Sequence, residues 1–346
     1  MMKLKQSLII ALTLFIVGIT AWELYWRSEG FYPTLDDNEA LWAEQRFRVE
    51  KASSNSILLL GSSRVLFDMQ LDEWETETGI RPIQLAFVGS SPLPIFHDVV
   101  NNTNFNGTIV VGVTPGLFFS STSPDKDSWK SPQSKVDFYK KRTYAQMSNH
   151  ILSLPLQKNF AFISEDQGVD GVKLKELLGK INVGDRVENS MPLFHEFGEI
   201  ELDRNLTMKP ITVTDTAYAN SIIRVWQFFG KKAASGPPPD KASTRAFFIK
   251  DLEIFKARGG HVILVRCPSS GSLRAAENMG VPRTEFWDEL VKASQLKAYH
   301  FEDYEQLKHL KCPEESHLSA EDARYFTTEL VKIMKEDGAF SNLKTN

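Results

Sequence analysis

Short apolar runs that recur along the chain constrain its fold more than any other feature of the sequence. Such runs occupy residues 56–60, 83–87, 108–113, 261–265 and 298–301. Their length and β-branched content are typical of buried parallel strands. Helix-compatible stretches lie between them, and this alternation predicts βαβ units. The sequence therefore predicts an α/β fold built on a parallel sheet.

The N-terminal segment predicts a membrane anchor. Residues 6–22 carry no charge, and Lys3 and Lys5 precede them. The run is at the lower end of the ~17–25 residues that span a bilayer. Basic residues before a span, with none immediately after it, favour a cytoplasmic N-terminus and an extracytoplasmic remainder. A cleaved signal peptide is the alternative, although Ile19-Thr20-Ala21 is a poor cleavage site.

The predicted organisation is an anchor at 1–27, a juxtamembrane stalk at 28–50 and an α/β domain at 51–346. Within that domain, residues from about 118 to 240 interrupt the strand–helix rhythm and are interpreted as a helical insertion that shapes a substrate surface. The net charge of −4 gives no field that favours nucleic acid. We find no zinc-ligand spacing and no phosphate-binding glycine loop, so the sequence predicts no metal and no cofactor.

A serine follows the first apolar run closely. Gly61-Ser62-Ser63 comes directly after residues 56–60. Open parallel sheets bind ligands at the carboxyl ends of their strands, and small neighbours let a carbonyl group approach the serine oxygen. Ser63 is therefore a candidate nucleophile. The alternative is a plain helix N-cap, for which serine is a favoured residue.

A histidine near the C-terminus has the setting of a catalytic base. Glu314 lies three residues before His317, and both precede a predicted final helix with Ser319 as its N-cap. On a tight loop this spacing lets the carboxylate reach the imidazole Nδ1–H, which leaves Nε2 free to accept a serine proton. A solvated histidine on a surface loop is the alternative.

These blocks together resemble the SGNH (GDSL-like) hydrolase superfamily. The matching positions are Gly61-Ser62-Ser63 after the first strand, Gly89 after the second, and Glu314-x-x-His317 before the last helix. The resemblance implies a three-layer α/β/α flavodoxin-like sandwich. It also implies a Ser-His-Glu triad of Ser63, His317 and Glu314. Ser62 stands where these proteins usually have aspartate, and Glu314 stands where they have the aspartate of the last block.

The resemblance also implies an oxyanion hole made by the N–H groups of Ser63 and Gly89. Donors of this kind typically contribute ~2.7–4 kcal/mol each to transition-state stabilisation. The family's third block usually supplies an asparagine, but this chain has Thr114 after the third apolar run. Either Thr114 donates in place of that asparagine or the donor is missing.

The anchor, the Gly-Ser-Ser block and the His317-Leu318-Ser319 run resemble a membrane-tethered subgroup of the superfamily. Its members include the D-alanyl-lipoteichoic acid biosynthesis proteins and polysaccharide O-acetylation proteins. The resemblance implies O-acylation of a cell-envelope or secreted polysaccharide, beside a membrane-bound O-acyltransferase as partner. The alternatives are a non-catalytic anchored binding partner of that acyltransferase and a plain surface esterase or lipase.

Four further residues are predicted to lie at the carboxyl edge of the sheet. Arg64 and Arg266 are candidates for holding an anionic substrate group, or else they form structural ion pairs. Cys267 follows one strand and Cys312 precedes the Glu314–His317 loop. An extracytoplasmic compartment permits a disulfide between these cysteines. The alternative is two buried thiols.

Overall fold

The structure, a computed structural model, describes residues 2–28, 32–163, 192, 194 and 196–343 of the 346-residue chain. The chain divides into two compact units. The smaller one, the anchor unit, comprises the described parts of Met1–Asp36 and Thr143–Ser190. The larger one, the sheet unit, comprises the described parts of Asp37–Arg142 and Met191–Asn346.

The elements are numbered in chain order. The strands are β1 (Ile57–Leu60), β2 (Ile83–Gln84), β3 (Thr108–Gly112), β4 (Gly198–Ile200), β5 (Leu206–Met208), β6 (His261–Arg266) and β7 (Lys297–His300). The described α-helices are α1 (Met2–Ser28), α2 (Glu39–Val49), α3 (Ser63–Asp68), α4 (Leu71–Thr78), α5 (Leu93–Asn102), α6 (Pro115–Phe118), α7 (Asp127–Lys141), α8 (Tyr144–Gln157), α9 (Pro210–Thr214), α10 (Thr216–Ala234), α11 (Lys241–Ala257), α12 (Gly271–Gly280), α13 (Arg283–Ser294) and α14 (Ala320–Glu336).

The predicted parallel sheet is confirmed. Its five strands lie in the order β2-β1-β3-β6-β7, and every neighbouring pair is parallel. In β1, Leu58 and Leu60 join a core with side chains from α2, α5, α11 and α13. Side chains alternate along a strand, so Leu59 points to the opposite face, and it is also fully buried. Both faces of β1 are therefore covered, as expected for a parallel sheet.

The predicted stalk boundary at residue 50 differs from the structure. Helix α2, which contains the end of that segment, belongs to the sheet unit and begins after the N-cap Asn38, whose side chain accepts two backbone N–H groups. Trp42 is fully buried and donates its indole N–H to the Leu85 carbonyl at 3.1 Å. Burial of this aromatic side chain stabilises the packing of α2 on the sheet. The sheet unit therefore includes α2, and it begins at Asp37.

The predicted insertion, residues 118–240, is divided between the two units. Residues 164–191, 193 and 195 of it lie outside the described residues. Helix α8 belongs to the anchor unit, whereas α7 packs against α2 and α5 in the sheet unit. The antiparallel β4–β5 hairpin, α9 and α10 also belong to the sheet unit. The insertion is therefore not a single structural piece.

The anchor unit contains the apolar N-terminal helix. Lys3–Ser28 is 26 residues long and contains an 18-residue window with a mean hydropathy of 2.0. It is the one helix among the described residues that is long and apolar enough to cross a membrane. Its apolar side chains are exposed along most of its length, for example Leu8 and Phe15. Trp22, Tyr25 and Trp26 form an aromatic cluster near its end, with ring centroids 5.3–5.8 Å apart. Aromatic clusters of this kind are typical of membrane–water boundaries.

Candidate active site

Ser63 lies at a sharp turn between β1 and α3. The turn needs a small residue at position 61, because a Cβ there would come within 2.3 Å of the Val65 side chain. Ser62 is the N-cap residue of α3, but its hydroxyl makes no capping bond and instead contacts Thr114 Oγ1 at 2.7 Å. Ser63 is the first residue of the helix and is half-buried. The turn therefore leaves its hydroxyl available to another element.

That other element is the loop before α14. His317 Nε2 lies 2.8 Å from Ser63 Oγ, and His317 Nδ1 lies 3.0 Å from Glu314 Oε1. The imidazole and the carboxylate are almost completely buried. With the carboxylate as acceptor, Nδ1 carries the proton and Nε2 faces the serine hydroxyl. The three residues proposed from sequence are thus joined in one hydrogen-bond chain.

The loop that carries this pair is held by its own backbone and by α12. Glu314 Oε1 also accepts the backbone N–H groups of Ser316 and His317. Glu315 adopts a left-handed conformation, with φ of 74°. Its carboxylate accepts the Leu273 N–H at 3.0 Å in the first turn of α12, where negative charge is favoured. This tight geometry lets a carboxylate three residues away reach the imidazole.

Helix α10 of the predicted insertion completes the surroundings of the carboxylate. Trp226 donates its indole N–H to Glu314 Oε2. The rings of Phe67, Phe197 and Trp226 lie 4.6, 5.4 and 5.9 Å from the His317 ring, measured between centroids. The imidazole therefore has an aromatic, low-dielectric environment, which strengthens its interaction with the carboxylate. The sequence does not predict these aromatic residues at the site, because nothing in their spacing relates them to position 317.

Asp68 is a further residue next to the site that the sequence does not predict. Its Oδ1 accepts the Leu318 N–H at 2.9 Å, and its backbone carbonyl accepts the Thr327 hydroxyl at 2.9 Å. The side chain is fully buried, and Oδ2 has no hydrogen-bond partner. Burial raises the pKa of the Asp68 carboxyl well above its ordinary value. Asp68 fixes the residue after His317 to the helix that begins with Ser63.

The two predicted oxyanion positions other than Ser63 differ in what surrounds them. Gly89 is exposed, has φ of 61°, and lies in the loop after β2. That loop runs beside the serine turn, because the Phe87 N–H binds the Gly61 carbonyl at 3.0 Å. Thr114 follows β3, and its hydroxyl contacts Ser62 rather than Ser63. Both positions lie at the carboxyl edge of the sheet.

Arg64 and Arg266 belong to a buried ion network. Arg64 Nη2 lies 2.7 Å from Glu277 Oε1, and Arg266 Nη2 lies 2.5 Å from Glu277 Oε2. Burial opposes ionisation of Glu277, but the two guanidinium charges and hydrogen bonds from Arg64 and Ser269 outweigh it and hold the pKa of Glu277 at about 2. Both arginine side chains are at most 4% exposed. Of the two interpretations from sequence, the structural ion pairs are the arrangement that the structure contains.

Cys267 and Cys312 are both buried free thiols. The disulfide predicted from their positions is therefore not present in this structure. Burial raises the pKa of each thiol well above its ordinary value, so both are in the unreactive thiol form. Among the described residues, no group of three or more His, Cys, Asp or Glu side chains could hold a metal ion.

Sequence comparison assigns no family to this chain. No protein-family model matches it, and no curated protein matches it in sequence. Any assignment of function therefore depends on the geometry of the site and on the motifs of the sequence.

Proposed function

We propose that this chain is a membrane-anchored, SGNH-type serine acyl hydrolase or acyltransferase. Ser63 is its nucleophile, His317 its general base and Glu314 the acid that orients the base. The observation that carries the proposal is the continuous hydrogen-bond chain from Ser63 Oγ through His317 to Glu314. A nucleophile, a base within hydrogen-bond reach and a third group that orients the base are the diagnostic arrangement for covalent acyl transfer.

In the first step, Ser63 Oγ attacks the carbonyl carbon of an ester or thioester while its proton moves to His317 Nε2. Glu314 stabilises the imidazolium that forms and does not itself take the proton. The tetrahedral intermediate then expels the donor's alcohol or thiol. His317 returns the proton to this leaving group, and the acyl group stays on Ser63.

In the second step, a hydroxyl group attacks the acyl-serine ester. His317 takes the proton of that hydroxyl, and Ser63 recovers a proton as it leaves. Water as the nucleophile gives hydrolysis, and a sugar hydroxyl gives an O-acylated polysaccharide. Phe197 and Trp226 pack against His317, and Phe194 packs against both of them. In this proposal the aromatic cluster disfavours water at the acyl-serine and thereby favours the sugar hydroxyl.

The proposed oxyanion hole consists of the backbone N–H groups of Ser63 and Gly89. The N–H groups in the first turn of a helix have no intrahelical acceptor, and Ser63 is the first residue of α3. Thr114 takes the position of the family's asparagine, and its hydroxyl is bonded to Ser62. A second candidate function is that of a non-catalytic anchored partner of a membrane acyltransferase. The presence of Thr114 in place of the asparagine favours it, because that asparagine usually contributes to the oxyanion hole.

The fold supports the SGNH assignment. Numbered among themselves, the strands of the parallel sheet have the order 2-1-3-4-5, which is the order of flavodoxin-like doubly wound sheets. In such sheets ligands bind outside the carboxyl ends of the strands, at the point where the strand order reverses. Ser63 follows β1, which lies at that reversal.

The apolar helix α1 supports a membrane location. With Lys3 and Lys5 on the cytoplasmic side, the sheet unit is extracytoplasmic. A serine acyltransferase tethered in this way suits the O-acylation, in particular acetylation, of a cell-envelope or secreted polysaccharide. A membrane-bound O-acyltransferase is the proposed protein partner.

Covalent labelling tests the proposal. A fluorophosphonate should label the wild-type chain in detergent, and peptide mapping should find the label on Ser63. Ser62→Ala is the matched control, because it removes the neighbouring hydroxyl, and it should keep the labelling. Loss of labelling in Ser63→Ala with a retained fold supports the enzyme. A wild-type chain that is folded and not labelled would favour the non-catalytic partner.

A further inference from the structure

Helix α8 of the anchor unit has an inverted distribution of polar and apolar side chains. Its buried residues are His150 and Gln157. Ile151 and Leu152, in contrast, are 61% and 69% exposed, and Tyr144 is 88% exposed. A surface helix of a water-soluble protein has the reverse arrangement, with its apolar stripe facing the core. The exposed side of α8 therefore carries more large apolar side chains than its buried side.

The large exposed apolar side chains lie on one side of α8, which they share with the exposed Ser148. Tyr144, Met147 and Ile151 have the spacing that places residues on one side of a helix, and Leu152 and Leu156 lie beside them. The 14 residues of α8 contain no Asp, Glu, Lys or Arg. A helix of this length and composition is characteristic of a buried core or of an interfacial membrane segment. Because α8 is exposed, it is not a buried core helix, and the interfacial membrane segment is the remaining class.

Contacts within the anchor unit tie the end of α8 to the membrane helix. The Glu23 carboxylate accepts the Ala161 and Phe162 N–H groups at 3.0 and 3.3 Å. Arg27 donates to the Asn159 carbonyl at 3.2 Å. These contacts place the residues just after α8 beside the last turns of α1, next to the Trp22–Tyr25–Trp26 cluster that marks the membrane–water boundary.

We propose that α8 lies on the lipid bilayer, with its face of Tyr144, Met147, Ile151, Leu152 and Leu156 at the boundary between headgroups and acyl chains. The continuity with α1 selects lipid over another protein as the occupant, because the connection places the helix at the level where the bilayer begins. Amphipathic helices bind in this way through the apolar area that they bury. The anchor unit then has two membrane contacts, a span and an interfacial helix, whether or not the chain is an enzyme.

Depth-dependent quenching tests this proposal on the full chain in lipid nanodiscs. Ile151→Cys carries an environment-sensitive thiol label, and some of the lipids carry bromine on their acyl chains. Ile254→Cys is the matched control, because Ile254 is also an exposed isoleucine on a helix and belongs to the sheet unit. Cys267 and Cys312 are buried, so the wild-type chain measures background labelling.

The expected result is brominated-lipid quenching and a blue-shifted emission at position 151, with neither at position 254. Equal quenching at both positions would contradict a specific contact of α8. The nanodiscs contain no protein other than this chain. An absence of quenching at position 151 would therefore also overturn the proposal, because the face would then contact another part of the chain or bind a protein partner instead of lipid.

Discussion

Trp226 donates its indole N–H to Oε2 of Glu314, the carboxylate whose other oxygen accepts from His317. The two residues are 88 positions apart and belong to different elements, α10 and the loop before α14. Both carboxylate oxygens are thereby engaged, and the insertion takes part in positioning the candidate base.

Trp226→Phe should lower acyl transfer while leaving the fold intact. The ring still packs on His317, but Glu314 Oε2 loses its donor, and an unsatisfied buried acceptor costs about 1–3 kcal/mol. We expect kcat on an aryl acetate to fall by roughly tenfold, the equivalent of one such hydrogen bond. Phe229→Leu, at an exposed position of the same helix, is the control and should change little. Equal kcat values for Trp226→Phe and the wild type would contradict the positioning role.

Asp68→Asn should become more stable relative to the wild type as pH rises. Burial raises the folded-state pKa of this carboxyl, so the wild type loses stability as pH rises above the ordinary aspartate value of about 4 towards the folded pKa. The amide cannot ionise and avoids that loss, while its oxygen can still accept the Leu318 N–H. Urea unfolding in detergent at several pH values measures the trend. A difference that does not vary with pH would show that Asp68 has an ordinary pKa.

Glu277→Gln should destabilise the chain at neutral pH. The wild-type carboxylate has its pKa lowered from 4.5 to about 2, which corresponds to roughly 3 kcal/mol of stability. Because the folded pKa is depressed, this contribution is present above pH 4.5 and is lost as pH falls through about 2. The difference in free energy of unfolding between the variant and the wild type should therefore become smaller as pH falls from 4.5 to about 2. A constant difference between pH 7 and pH 2 would argue against the ionised pair.

Cys267 and Cys312 should both be free thiols in solution. A thiol reagent should react slowly with the folded, unreduced chain, because both side chains are buried and burial raises the pKa of each. After denaturation without reductant the count should be two. A count of zero would show that Cys267 and Cys312 form the disulfide that their sequence positions first suggested.

Much of the fold follows from local pattern. Residues 56–60 and 108–113 are apolar over the length of a buried strand, and β1 and β3 form there. Ser319 caps α14 by accepting the Asp322 N–H, as the sequence predicts. The run at 83–87 forms only the short strand β2, although the Leu85 and Phe87 N–H groups continue the pairing with Leu59 and Gly61.

Part of the candidate site follows from local pattern as well. Glu314 and His317 are three residues apart, so their hydrogen bond depends on one loop, and the strand rule places Ser63 at the same edge of the sheet. Trp226 and Glu277 could not be found this way, because their contacts depend on tertiary packing of distant helices. The sequence left open whether Arg64 and Arg266 bind a substrate anion or form structural ion pairs. In the structure both of them contact Glu277.

The kinetics of acyl transfer in two neighbouring serine variants distinguish Ser63 from Ser62 as the nucleophile. The substrate is an aryl acetate, and the variants are Ser63→Ala and Ser62→Ala in the full chain, with circular dichroism to confirm the fold. We predict that Ser63→Ala lowers kcat by about 10³-fold or more, as loss of a nucleophile does, while Ser62→Ala retains most of the activity. Full activity in Ser63→Ala, or a loss confined to Ser62→Ala, would contradict the assignment of Ser63 as the nucleophile.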